Sequence, residues 1–112
     1  MRALSIQVQP DRVPDLDLGE VKRLFGEIKV SSLVDKSAFD EGMDQIRYLN
    51  FTFGTDDAKS LWKEIQRILY ENGTVGEGLA RCSMAMCSSE EGWDDYILLH
   101  HFDASVPLER FE

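Results

Sequence analysis

Side chains that bind metals or transfer protons are concentrated in the last third of this chain. They are two adjacent histidines, two cysteines and three nearby aspartates: Cys82, Cys87, Asp94, Asp95, His100, His101 and Asp103. Imidazole, thiolate and carboxylate are common metal ligands and common acid–base groups. Neighbouring histidines on a strand point to opposite faces of a sheet, so they do not share one metal without distortion. We therefore expect no metal and no cofactor, and a structural role for each histidine.

The common sequence motifs of catalysis and of phosphate binding are missing from the chain. It has no CxxC, HExxH, EF-hand loop, phosphate loop or GxGxxG. A Cys–His pair acting as nucleophile and base stays open, provided that adjacent strands bring Cys82 or Cys87 beside a histidine. The sequence predicts a protein that is not an enzyme. The alternative is a small ligand-binding or enzymatic α+β domain that uses His100 or His101 with Cys82 and that could form a dimer through its sheet.

A second candidate site is the segment Ser88–Tyr96, SSEEGWDDY, in which carboxylates surround aromatic side chains. Tryptophan and tyrosine often dominate the binding energy of protein interfaces, and carboxylates speed the approach of a basic protein. The competing interpretation is that Trp93 covers the core while the acids keep a loop hydrated. The predicted partner-binding residues are Glu90, Glu91, Trp93, Asp94, Asp95 and Tyr96.

The charge balance indicates the kind of partner. Twelve Lys and Arg against 21 Asp and Glu give a net charge of −9, which opposes binding to nucleic acid or to an anionic membrane. The leading hypothesis is a small acidic protein-binding module for a basic protein, such as an immunity or antitoxin-like inhibitor of a basic toxin or nuclease. Residues 11–20 and 35–44 are also acidic, and would extend the acidic surface if the fold gathers them beside the hairpin.

The size and composition of the chain suit a single domain over residues 1–112. A chain of this length buries roughly 65% of its unfolded surface. No apolar run approaches the roughly 20 residues of a membrane helix, and the start of the chain, MRALSIQVQP, is too polar for a signal peptide. Cys82 and Cys87 are expected to be buried thiols rather than a disulfide. These features predict a cytoplasmic protein.

The clearest structural pattern runs from Leu49 to Gly73. Leu49, Phe51 and Phe53 alternate with polar residues, which predicts a strand buried on one face. Thr55 or Asp56 can cap the amphipathic helix that follows, and Gly73 suits a left-handed residue after its last turn. Capping, packing and solvation explain this segment without any chemistry.

The remaining segments complete the order β, α, β, β, α, β, β. A helix capped by Asp17 follows the first strand, DKSAFDEGMDQ and NGTVGEG are loops, and residues 87–95 form a hairpin loop. Ala80, Cys82, Met84 and Met86 share one strand face. The predicted fold is α+β: an antiparallel sheet of four to five strands with two helices on one face, a ferredoxin-like sandwich with a βαββαβ core and an extra strand. The predicted strands cover residues 2–9, 28–34, 46–53, 79–86 and 96–102.

Overall fold

A single antiparallel sheet organises the computed structural model, which describes residues 1–111. The sheet has five strands in the order β2-β3-β1-β4-β5. The predicted α+β class and antiparallel sheet are confirmed. Within the described residues, three α-helices accompany the sheet, together with a 3-10 turn at Pro10–Arg12 and a π-helical turn at Gln66–Tyr70. The elements are β1 (Arg2–Val8), α1 (Leu18–Lys29), β2 (Lys36–Asp44), β3 (Ile46–Thr55), α2 (Ala58–Ile65), α3 (Gly73–Ala80), β4 (Ser83–Ser89) and β5 (Gly92–His100).

The central strand β1 has one face in the buried core and one polar face. Its alternate residues Leu4, Ile6 and Val8 are fully buried in the core that the helices cover. Ser5 and Gln7 lie on the other face, where they bond across to β3 at 3.2 Å and 3.1 Å. The alternation of apolar and polar residues in RALSIQV therefore matches the two faces of the strand.

Helix α1 begins and packs as its sequence predicts. The carboxylate of Asp17 accepts a hydrogen bond from the backbone N–H of Glu20 at 3.1 Å, which satisfies one of the free donors of the first turn. One stripe of the helix is buried at helical spacing. Its members are Val21, Leu24, Phe25 and Ile28.

The cap of α2 differs from the prediction. Asp57 caps this helix by accepting from the N–H of Ser60 at 3.1 Å, and the predicted caps Thr55 and Asp56 do not. Thr55 is fully buried, and its hydroxyl donates to the carbonyl of Leu33 in the loop before β2 at 2.6 Å. The same hydroxyl accepts from the N–H of Asp57 at 3.0 Å, so it holds the capping residue instead of capping the helix itself. Helix α2 then passes into the π-helical turn and ends before Gly73.

The second strand is not where the sequence indicated. The predicted strand over residues 28–34 is wrong, because Ile28 and Lys29 end α1 and Val30 is 82% exposed in the loop that follows. Strand β2 is instead Lys36–Asp44, within the segment predicted to be a loop. As an outer strand, β2 buries little of its surface, so it lacks the alternating apolar pattern of a half-buried strand.

The segment NGTVGEG is also structured rather than flexible. It forms most of α3, and Gly73 at its start has the predicted left-handed backbone, with φ of +50°. Gly76 allows α3 to pack against the preceding turn, since a Cβ atom there would lie 2.3 Å from the carbonyl oxygen of Tyr70. The structure therefore has one more α-helix than the two predicted.

The last two strands are displaced relative to their predicted positions. Strand β4 begins at Ser83, so Cys82 lies before it and does not share a strand face with Met84 and Met86. Its core-facing residues are Ser83, Ala85 and Cys87, opposite Val8, Ile6 and Leu4 of β1. Strand β4 extends to Ser89 and strand β5 begins at Gly92 instead of Tyr96, so most of the predicted hairpin loop over residues 87–95 lies in these two strands. Among residues 1–111, no helix has both the length and the apolar character needed to cross a bilayer.

Candidate functional site

The candidate site is built on the hairpin that joins β4 to β5. Ser89 pairs with Gly92, so Glu90 and Glu91 form the turn. The Ser89 hydroxyl stabilises this turn by accepting from the N–H of Glu91 and donating to the carbonyl of Gly92, both at 3.2 Å. Gly92 has φ of +130°, a conformation that favours glycine. The turn lies inside the predicted loop over residues 87–95.

The start of β5 is displaced from regular pairing. Cys87 pairs with Ile97 and Ser89 pairs with Gly92, so residues 93–96 all lie opposite Ser88 alone. Extra residues on one strand bend it and leave its backbone unpaired. Trp93 and Tyr96, at the two ends of this bulge, are 45% and 48% exposed. The bulge therefore presents two large aromatic side chains to solvent.

Carboxylates surround this bulge. Glu90, Glu91, Asp94 and Asp95 are exposed. Glu90 accepts a hydrogen bond from the amino group of Met1 at 2.7 Å, and this bond holds the pKa of Glu90 below its usual value. Asp56 lies 3.9 Å from the same amino group. Sequence reasoning missed Asp56 as a neighbour of the hairpin, although the pairing of β1 with both β3 and β4 brings the two segments together.

The predicted residues divide between two sides of the hairpin. Asp95 and Tyr96 line a cavity of about 520 Å³ that also contains the start of α2 and the C-terminal segment near Glu109. Trp93 lines a separate cavity of about 290 Å³ beside Met1 and Lys36. Glu90 borders both cavities. The six residues therefore form the edge of a surface that wraps around the hairpin, and they do not converge in one pocket.

The acidic stretch over residues 11–20 does not join the hairpin. Arg2, at the start of β1, donates to the carbonyl of Ser88 at 2.9 Å, which places the hairpin at that end of the sheet. Gln9, just after β1, donates its backbone N–H to the carbonyl of Cys82 at 2.7 Å, at the opposite end. Residues 11–20 follow Gln9 and so lie far from the hairpin. The sequence left open that residues 11–20 gather beside the hairpin, and this does not occur, whereas residues 35–44 begin beside Met1 and Trp93.

The two histidines have separate local roles. A ring nitrogen of His100, Nε2, lies 3.0 Å from the carbonyl oxygen of Ala80, and the ring packs 4.8 Å from that of Tyr70. Burial lowers the pKa of His100. His101 instead accepts a hydrogen bond at Nδ1 from the N–H of Asp103 at 3.0 Å. Each ring is explained by contacts with its own surroundings.

The cysteines are buried thiols in the core. Burial raises the pKa of Cys82 to about 11, so this thiol stays protonated at neutral pH. Cys87 donates its S–H to the carbonyl of Ser88 at 3.4 Å. No hydrogen bond joins a cysteine to a histidine within residues 1–111. In the same part of the chain, no three His, Cys, Asp or Glu side chains converge as metal ligands.

Comparison with known proteins provides no relative. No protein-family model, curated protein or solved structure matches this chain.

Proposed function

We propose that this chain is a small acidic protein-binding module that docks on a basic partner through the β4–β5 hairpin. The partner class that fits best is a basic toxin or nuclease, which the module would inhibit in the manner of an immunity or antitoxin protein. The binding residues are Glu90, Glu91, Trp93, Asp94, Asp95 and Tyr96. The proposal locates the module in the cytoplasm, which its two free, buried cysteines fit.

The observation that carries the proposal is the exposure of Trp93 and Tyr96 on a bulged strand. A large aromatic side chain left half exposed has apolar surface to bury against a partner. The bulge also removes the two residues from regular pairing, so a partner can approach them without breaking the sheet. Had Trp93 folded back over the core, the competing interpretation would be favoured.

Electrostatics supports a basic partner rather than an acidic one. Glu91, Asp94 and Asp95 form no ion pair with a lysine or arginine within the residues that the structure describes. Their charges therefore project into solvent, on a chain with a net charge of −9. Such a surface raises the local concentration of a cationic protein and accelerates docking.

The test measures affinity for the partner recovered by capture from native cell extract at low salt. We expect Trp93→Ala to weaken binding by about thirtyfold, because it removes an aromatic anchor. We expect Asp94→Lys combined with Asp95→Lys to weaken binding by at least about tenfold, because it replaces attraction with repulsion. Isothermal calorimetry on the purified pair provides the dissociation constants.

The matched control is Asp11→Lys combined with Asp15→Lys. This variant makes the same change in net charge at two exposed positions at the far end of the sheet. We expect it to change the affinity by less than about threefold, because long-range screening weakens distant charges. If the hairpin variants bind as tightly as the wild type, or if the control weakens binding equally, the hairpin is not the binding site.

We also propose that the fold is a ferredoxin-like βαββαβ sandwich with β5 as the added strand. The strand order supports this, because β1 lies between β3 and β4 while β2 lies outside β3. The extra helix α3 extends the second helical connection between β3 and β4. Such a fold hosts many activities and therefore adds nothing to the choice of function.

A further inference from the structure

The two edge strands of the sheet, β5 and β2, differ in whether another part of the chain covers their outer side. At β5, the chain covers its own edge, because Glu109 donates its N–H to the carbonyl of Leu98 at 2.8 Å and its carboxylate accepts from the N–H of Leu98 at 3.2 Å. At the other edge, β3 is the only strand that pairs with β2 in the described range 1–111. A strand of this kind presents free backbone donors and acceptors along its outer side. Strand β2 can therefore accept another strand.

A groove lies beside this open edge, between β2 and α1. Its volume is about 210 Å³. Three aromatic rings line its base. The ring centres of Phe25 and Phe51 are 3.8 Å apart in a stacked pair, and those of Phe51 and Phe39 are 5.0 Å apart. Phe39 is 49% exposed, so the outermost ring of the run is open to solvent. At Gly26, a Cβ atom would meet nothing within 4 Å, so this glycine leaves the helical wall of the groove open.

The groove carries positive charge on an acidic protein. Lys22 and Lys29 line the groove. Within residues 1–111, neither lysine forms an ion pair. The lining contains no carboxylate. On β2 itself, Glu41 shares the face of Phe39 and is paired with Arg47 at 3.5 Å, whereas the exposed Asp40 lies on the opposite face of the strand. The charge of the groove therefore complements an acidic ligand.

We propose that this groove binds an extended acidic segment of a partner protein, which adds a strand to β2 and inserts a bulky apolar side chain against Phe39 and Phe25. Strand addition uses main-chain hydrogen bonds for affinity and alternate side chains for specificity. The groove shares no lining residue with the hairpin, because it is lined by α1, β3 and β2 from Ser37 onward, whereas the cavity beside Trp93 reaches only Lys36, the first residue of β2.

The spacing of the charges defines the segment further. Lys22 and Lys29 are separated by about 10 Å along the axis of α1. On an extended strand, residues two before and two after a central apolar residue share its face and are separated by about 13 Å. Lysine side chains are long and flexible enough to bridge the difference between these two spacings. The segment therefore carries acidic residues two positions on either side of its apolar residue.

The probe is the synthetic heptapeptide TEVFVET, acetylated and amidated, which follows this pattern. Its matched partners are TKVFVKT, which reverses the charges, and TEVAVET, which removes the aromatic ring. We expect TEVFVET to bind at least about tenfold more tightly than either of them, by fluorescence anisotropy at low salt. Equal binding of the three peptides, or no binding of TEVFVET at about 1 mM, would overturn the proposal.

Two variants of the protein place the peptide in the groove. Gly26→Leu fills the open wall of the groove and also replaces a poor helix former, so we expect a protein at least as stable that binds TEVFVET at least about tenfold more weakly. Lys22→Glu with Lys29→Glu should produce a similar loss of binding, whereas Lys59→Glu with Lys63→Glu on α2 makes the same charge change and should retain affinity. Full binding by Gly26→Leu would contradict the proposal.

A second copy of this chain is the other occupant that the experiment can reveal. Sedimentation of the wild type and of Gly26→Leu, without peptide, measures the oligomeric state. We expect both to be monomeric. A wild-type dimer that Gly26→Leu dissociates would show that a second copy occupies the groove, and would overturn the assignment to an acidic partner. Neither result depends on the hairpin, so the two proposals stand or fall separately.

Discussion

Two helical glycines in this chain have opposite surroundings. Gly76 in α3 lies against the turn that ends in Tyr70, and a Cβ atom there would lie 2.3 Å from a backbone oxygen. Gly26 in α1 has nothing within 4 Å of the same position. A backbone carbonyl cannot move away as the end of a flexible side chain can. The same substitution should therefore have opposite effects at the two sites.

We expect Gly76→Ala to lower the free energy of unfolding by about 1–3 kcal/mol, because α3 must shift away from Tyr70. We expect Gly26→Ala to raise it by up to about 1 kcal/mol, because alanine is the better helix former and meets open space. Urea unfolding followed by circular dichroism measures both variants against the wild type. A Gly76→Ala protein as stable as the wild type would show that α3 packs less closely than described.

His100 and Cys82 show how the fold decides the role of a reactive side chain. Both types of residue can do chemistry, but His100 is bound to the carbonyl of Ala80 and packed on Tyr70. Burial raises the pKa of Cys82 to about 11, which removes the thiolate that a nucleophile requires. Tyr70 in turn shares a 2.7 Å hydrogen bond with Ser83, whose hydroxyl donates to the carbonyl of Leu79. These groups join α3 to the sheet.

At the scale of elements, local signals were sufficient for some segments and not for others. Helix α1 was predictable because its cap Asp17 and its buried stripe are encoded within one short segment. Strand β2 was not, because its two large apolar residues, Phe39 and Met43, are 49% and 70% exposed and nothing in its own sequence records that it pairs with β3. Residues 28–34 have strand-like composition, but α1 continues through Lys29.

Helix α3 and the site show the same limit. The glycines of NGTVGEG have low helix propensity, so this segment does not look helical in the sequence. In the structure, Gly76 packs closely on Tyr70 of the preceding turn, and that contact is not visible in the segment itself. A hairpin loop between the last two strands was predictable from the polar residues around Gly92, although the turn itself covers only Glu90 and Glu91 of the predicted residues 87–95. The bulge over residues 93–96 and the proximity of Asp56 were not, because both depend on pairing across the sheet.

The C-terminal segment is the element whose contribution can be tested most directly. Phe111 is partly buried against the core, and the guanidinium of Arg2 lies 5.3 Å from the centre of its ring. Leu108, three residues earlier, is 52% exposed. Phe111 therefore packs on the core, whereas Leu108 contributes mainly to the surface.

We expect Phe111→Ala to lower the free energy of unfolding by about 1–2 kcal/mol, because it exposes the core that the ring covers. The matched control, Leu108→Ala, should change it by less than about 0.5 kcal/mol, as is usual for an exposed side chain. Thermal unfolding followed by circular dichroism compares them. Equal effects of the two substitutions would mean that the segment does not pack on the core in solution.

For the whole molecule, the distribution of charge matters more than its total. The net charge is −9, yet carboxylates without an ion pair lie on the β4–β5 hairpin, and lysines without an ion pair among residues 1–111 lie on α1 beside β2. The two proposed sites would therefore attract partners of opposite charge. The two proposed sites together would let one small module hold two partners at once, with the sheet between them.

The final prediction concerns how salt acts on the hairpin complex. Between about 0.05 M and 0.5 M salt, we expect the association rate with the basic partner to fall by about tenfold to a hundredfold, because added ions screen the long-range attraction. The dissociation rate should change by less than about threefold, since contacts around Trp93 are short-range. Asp94→Lys with Asp95→Lys should flatten this salt dependence, whereas Asp11→Lys with Asp15→Lys should retain most of it. Stopped-flow fluorescence measures both rates, and a salt effect confined to dissociation would contradict electrostatic steering by the hairpin.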